Sequence, residues 1–152
     1  MPATSKIITE DLGWERMKRD LSKLNVNIES GLFGSGSPKD NVAARGAVHQ
    51  NGSKKRNIPR RPFMSMAADS GKNKLLKFIE KQYMLLMAGK INDKTFSDRV
   101  GVFHADQIKA MIRGGSFDAL KPKTIKRKKS SKPLIDKAIM KNSVTHKVRK
   151  RA

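Results

Sequence analysis

Three histidines, thirteen carboxylates and no cysteine are the residues from which this chain could build a catalytic centre. General acid–base catalysis needs two converging groups, and nucleophilic catalysis needs a nucleophile beside a base. His49, His104 and His146 each stand alone, and the chain contains no HExxH, no GxSxG, no phosphate loop ending in Gly-Lys-Ser/Thr and no paired acidic metal motif. The segment GLFGSGSP sets glycines at 31, 34 and 36, but it lacks the amphipathic helix and distal acid of a dinucleotide fingerprint and reads as a hairpin or flexible loop. Without cysteine there are no disulfides, no thiolate chemistry and no Cys-containing zinc sites. The thirteen acids are scattered, which disfavours a nuclease. The expectation is a protein that is not an enzyme and carries no cofactor.

The chemistry the chain does carry is cationic. Its formal net charge is +21, from 34 Lys and Arg against 13 Asp and Glu. Residues 1–50 hold 7 basic and 6 acidic side chains, residues 51–114 hold 14 and 5, and residues 115–152 hold 13 and 2, so charge grows toward the C-terminus. Three clusters are candidates for contact with a partner or with DNA: Lys54, Lys55, Arg56, Arg60 and Arg61; Lys126, Arg127, Lys128 and Lys129; and Arg149, Lys150 and Arg151. A field of this sign attracts phosphate backbones or acidic protein surfaces. Aromatics make up 5% and none interleaves with the basic runs, so a base-stacking platform for single strands is disfavoured. No apolar run approaches the roughly 18 residues that cross a bilayer. The N-terminus does not read as a secretory signal.

Several elements must position these clusters. Leu24, Leu21, Met17 and Trp14 recur at steps of three and four, one stripe of a helix. Val26, Ile28, Ser30 and Leu32 alternate with Asn27, Glu29 and Gly31, the period of a half-buried strand. Residues 42–61 admit either a short helix or an irregular loop, and Pro59 and Pro62 bias Ile58 and Arg61 toward extended backbone. Asp69-Ser70-Gly71 can cap a helix from about Lys72 to Ala88, with Leu75, Leu76, Ile79, Tyr83, Leu86 and Met87 on one side and Gly89 as its stop. Asn92 or Asp93 can cap a second helix ending at Gly114-Gly115, with Phe96, Val100, Phe103 and Met111 on its apolar face. His104 lies near that face and reads as a packed or solvent-edge imidazole rather than a metal ligand, and Met84, Met87 and Met111 read as core filler. A basic turn is expected at residues 124–129, a helix from Pro133 to about Lys141, and a strand containing Val144 and Val148.

Two phrases supply a pattern that composition does not. Ile58-Pro59-Arg60-Arg61-Pro62-Phe63 is followed about sixty residues later by Thr124-Ile125-Lys126-Arg127-Lys128 and then by Lys132-Pro133-Leu134-Ile135-Asp136. This order resembles the virion-morphogenesis proteins of tailed bacteriophages, of the tail-completion or head–tail joining type. In that family I-P-x-R-P-F precedes a helical pair, and T-I-x-x-K precedes K-P-L-I-D-T-G-x-L and a terminal S-I-x-x-x-V strand. Val26, Ile28 and Gly31, and Ser143, Val144 and Val148, match its first and last strands. Lys137-Ala138-Ile139-Met140 replaces T-G-x-L, so a continued helix is expected in place of a turn, and Gln50-Asn51-Gly52 replaces an aromatic-Gly pair after His49.

The resemblance implies an α+β fold, an antiparallel sheet packed by amphipathic helices, in a ring-forming subunit with a basic C-terminal extension. It implies one domain over residues 1–148, with a flexible loop at about 34–41 and a basic tail at 149–152. It further implies a homo-oligomeric ring in the virion neck, assembled in the host cytoplasm, between the head connector or adaptor and the tail tube or terminator proteins. Double-stranded DNA would pass through its channel, and no membrane is involved. Pro59 and Pro62 would then stiffen a segment presenting Arg60 and Arg61, with Phe63 as its anchor. Pro133, Leu134 and Ile135 would pin the basic segment that contains Thr124, and Asp136 would cap a helix or pair with a lysine; turn geometry and packing alone are the alternative. Charge by itself supports a second reading, a basic nucleic-acid-binding module.

Overall fold

The computed structural model describes residues 14–34, 41–135 and 138–150. The element order is α1 (Trp14–Lys23), β1 (Val26–Leu32), α2 (Val42–Asn51), α3 (Phe63–Met87), α4 (Asp93–Gly114), α5 (Pro122–Lys128), α6 (Ile139–Asn142) and β2 (Val144–Lys150). The fold is α+β, a two-stranded antiparallel sheet packed by helices. The two strands come from opposite ends of the chain, with Val26 opposite Lys150 and Leu32 opposite Val144. The expected alternation holds as far as Ser30, with Val26, Ile28 and Ser30 part-buried and Asn27 and Glu29 exposed, and breaks at Gly31, which is buried instead of outward, its Cα side against Met64. β2 runs on to Lys150, so Arg149 and Lys150 belong to the sheet rather than to a tail, and Arg149 Nε lies 3.6 Å from the Glu29 carboxylate across the pair.

α3 and α4 form a hairpin. Gly71 meets Gln107, Phe78 stacks on Phe103 at 4.2 Å, and Arg99 donates to Gln82 at 3.1 Å, so early residues of one helix meet late residues of the other. The Asn92 side chain caps α4 by accepting from Thr95 N, and Gly115 ends it, as the sequence predicts. α4 serves both core clusters. Ala105, Ile108 and Ile112 join Phe63, Ala67, Leu134 and Val144 in one, and Phe96 and Val100 join Tyr83 in the other, where Leu21, Leu24 and Ile28 also pack. Tyr83 donates to Asp20 Oδ2 at 2.8 Å and so ties α1 to this second cluster.

Four expectations need correction. α3 starts at Phe63, nine residues before Lys72, because Pro62 ends the extended segment and presets the first turn. Asp69-Ser70-Gly71 is therefore mid-helix: Ser70 Oγ bonds back to Met66 O, and Gly71 provides the close approach at which its carbonyl accepts from Gln107 Nε2. Met84 and Met87 are 63% and 51% exposed, since they lie on the outward side of the last turns of α3, whereas Met111 packs on the core. Residues 124–129 form most of a true helix, α5, rather than a turn. No helix runs from Pro133, because Leu134 takes φ +61° and Ala138 φ +54°, and α6 begins only at Ile139. The left-handed residue thus falls at Ala138, where the resembling family has its glycine.

Residues 42–51 resolve to a helix, with Asn41 Oδ1 accepting from Ala44 N at 3.1 Å. The predicted loop at 34–41 falls mostly outside the described residues.

Candidate anion-binding cleft

The end of α2 is fastened to the start of α3 through one side chain. Gln50 donates to Ser65 Oγ at 2.6 Å and accepts from Met64 N at 3.0 Å. Between them residues 53–58 close a tight turn by mutual Ser53–Ile58 hydrogen bonds of 2.9 Å. The turn can lie this close only because residue 52 is glycine: its φ is +75°, and a Cβ there would sit 3.0 Å from Arg60 N. Pro59 and Pro62 then hold the chain extended on either side of Arg61, whose N–H donates to His49 O at 2.7 Å.

From the other side come α5 and the segment after it. Lys129 closes α5 in a left-handed conformation, Lys128 Nζ donates to Lys132 O at 3.3 Å, and Leu134 drops into the core at 7% exposure. The two sides enclose an open cleft of about 660 Å³. Arg45 and His49 of α2, Arg56 and Arg61 of the loop, and Lys121, Arg127 and Lys128 of the α5 region line it, with apolar surface from Ile58, Pro59, Leu120, Leu134, Ile139 and Met140. Among the described residues none of the lining side chains is acidic.

Arg61 is the least ordinary member. It is 4% exposed, its Nη2 donates to the backbone carbonyl of Asp118 at 3.2 Å, and its Nε–H meets no acceptor among the described residues. Burial draws its pKa below the ordinary arginine value, partly offset by the Asp118 carboxylate. Starting from so high a value, the guanidinium stays protonated. His49 stands beside it with Nδ1 buried and without a hydrogen-bond partner among the described residues. Burial first, then Arg61 and Lys128, push the His49 pKa below the ordinary histidine value, so at neutral pH the imidazole is uncharged. His104 on α4 is also lowered, by burial alone.

Of the residues singled out in the sequence, Arg56, Ile58, Pro59, Arg61, Thr124, Arg127, Lys128 and Leu134 line this cleft. Phe63 is fully buried and Ile135 packs on the same core, so both support the cleft from beneath. Pro62 precedes α3 and Pro133 is half-buried; neither lines it. Lys54, Lys55, Arg60, Lys126 and Lys129 are exposed and point elsewhere, so Arg60 and Arg61 are not presented together. Arg149 and Lys150 belong to the sheet, and Asp136 and Arg151 lie outside the described residues. Arg45, His49 and Lys121 were not predicted. Arg45 and His49 stand four apart, so they share a face once residues 42–51 are read as helix.

The arrangement suits anion binding: converging cations, one of them desolvated with an unengaged donor. Among the described residues no group of three or more His, Asp and Glu side chains gathers to hold a metal ion. Comparisons with protein-family models, with curated proteins and with solved structures return no match for this chain.

Proposed function

We propose that the chain is a structural subunit of a tailed-bacteriophage neck, of the tail-completion or head–tail joining kind. It works as a homo-oligomeric ring between the head connector and the tail tube, around the channel through which double-stranded DNA passes. The observation that carries this reading is the meeting of the two motif phrases. Ile58, Pro59 and Arg61 lie in the same cleft as Thr124, Arg127, Lys128 and Leu134, although about sixty residues separate them in the chain. A chance match of short phrases has no reason to converge in space. The turn at Ala138 adds support, because its left-handed backbone occupies the position of the family's glycine.

A ring subunit also needs surface for its neighbours. Met84 and Met87, 63% and 51% exposed at the end of α3, are apolar side chains that a neighbouring subunit could cover. Light scattering on the purified protein, alone and with connector or tail-tube preparations, tests the proposal. The expected result is a discrete closed oligomer, formed alone or on the partner ring. A protein that stays monomeric in every mixture overturns it.

The acid-free cleft and the net charge of +21 favour a second reading, a basic nucleic-acid-binding module. That reading requires tight duplex or RNA binding by the isolated monomer, falling steeply with salt as counterions are released.

A further inference from the structure

We infer that the cleft between α2, the turn at residues 53–58 and α5 is a discrete phosphate-binding site, with Arg61 as its innermost ligand. The inference does not rest on the neck reading, and in its nucleic-acid form it names the site that the second reading would use. A buried guanidinium with no ion-pair partner among the described residues is costly, since a charge removed from water loses hydration that an opposite charge must replace. Arg61 has one N–H on the Asp118 carbonyl and an Nε–H that meets no acceptor among the described residues, so its charge is incompletely met there. Packing holds it there regardless. Pro59 and Pro62 fix the backbone on both sides, its own N–H is bonded to His49 O, and Phe63, fully buried, follows two residues on.

Five further cations, Arg45, Arg56, Lys121, Arg127 and Lys128, face the same space of about 660 Å³. Six positive charges around so small a volume favour a multiply charged oxyanion over a single carboxylate, and guanidinium forks match the tetrahedral oxygens of phosphate. His49 adds an imidazole to the same wall, its pKa lowered by burial first and then by Arg61 and Lys128. The ligand is a phosphate group, carried either on a nucleic-acid backbone or on a small phosphorylated molecule.

His49 also reports occupancy without any mutation. Burial is the first cause of the lowered His49 pKa and the charges of Arg61 and Lys128 add to it; a phosphate beside Arg61 offsets those charges, so binding should make this imidazole easier to protonate. His104 does not line the cleft and is lowered by burial alone, which makes it the internal control. The test is an NMR pH titration of the histidines in the whole protein, in chloride and then in pyrophosphate or a short duplex oligonucleotide at equal ionic strength. The expected result is a rise of about 1 in the pH at which His49 titrates, with His104 unmoved.

A rise with pyrophosphate alone assigns the phosphate to a small molecule, and a rise with the duplex as well assigns it to the backbone. Arg127→Ala, at an exposed position, weakens the effect several-fold, and Arg61→Gln removes it, with the His104 titration verifying the fold. A His49 titration that neither anion moves beyond the chloride value overturns the site, whatever the oligomer measurement gives. A monomer that still shows the shift retains the site while the neck reading fails.

Discussion

The left-handed conformation of Ala138 is the most economical place to improve this chain. An L-residue with a Cβ resists φ +54°, while glycine adopts it freely, so Ala138→Gly relieves local strain at the start of α6. Glycine also gains freedom in the unfolded chain, which returns part of the benefit. The net expectation is a gain of about 0.5–1 kcal/mol in urea unfolding, and a loss of stability would mean that the observed turn is not adopted. His49 and His104 make a second residue-scale prediction. Both have pKa values below that of the unfolded chain, so just below pH 6.5 the unfolded state binds more protons than the folded one. Their contribution is fully present above the unfolded value and is lost as pH falls through the window down to the depressed folded values. The urea midpoint should therefore fall between about pH 7.5 and about pH 5.5, before the carboxylates titrate, and His49→Gln with His104→Gln should flatten that slope.

Among the elements, α4 is the rod that joins the sheet to α3, and it approaches β2 closely at Gly101. A Cβ on Gly101 would run into the His146 ring, while Ser30 Oγ reaches the Gly101 carbonyl at 3.1 Å and His146 Nε2 lies 3.4 Å from the Asp98 carboxylate. Gly101→Ala should cost about 1–3 kcal/mol by overpacking. In combination with His146→Gly that cost should largely vanish, because the clashing ring and the His146 Cβ, 2.9 Å from the added methyl, are both gone, and a double-mutant cycle with no coupling would place the strain elsewhere. The same helix explains what the sequence made legible. Asn92, Gly115 and an apolar stripe at helical spacing wrote α4 locally, and the alternation at Val26–Leu32 and the valines at 144 and 148 wrote the two strands. α3 was misjudged at its start because Asp69-Ser70-Gly71 imitates a cap, whereas the helix begins at Pro62-Phe63 without any side-chain cap bond. α2 stayed ambiguous since its buried position is Gly46, placed there because Leu32 fills the space of a Cβ. The candidate cleft was half legible: its loop and α5 residues stood out as charge, but that Arg61 turns inward while Arg60 stays exposed depends on packing between distant segments, which no local pattern encodes.

For the whole molecule the governing quantity is a net charge of +21 on 152 residues. Like charges on one compact body repel, and unfolding relieves that repulsion by moving them apart. Ion pairs such as Lys109–Asp106 and Arg149–Glu29, at 3.1 and 3.6 Å, are partly or well exposed and of the kind that contributes about 0–1 kcal/mol each. Six cations around one cleft concentrate the repulsion further. Added salt shortens the screening length from about 20 Å at ~0.02 M to about 6 Å at ~0.3 M, so it weakens repulsion summed over many distant pairs more than the few close attractions. Stability should consequently rise with sodium chloride over that range, read as an increase in the urea midpoint with its slope unchanged, urea being chosen because it carries no charge of its own. Phosphate at the same ionic strength should raise the midpoint further, since an ion that binds only the folded state adds mass action to screening. A midpoint that falls with chloride would mean that the folded chain is held by its ion pairs after all. Equal midpoints in chloride and phosphate would leave the cationic cleft as surface charge without a ligand.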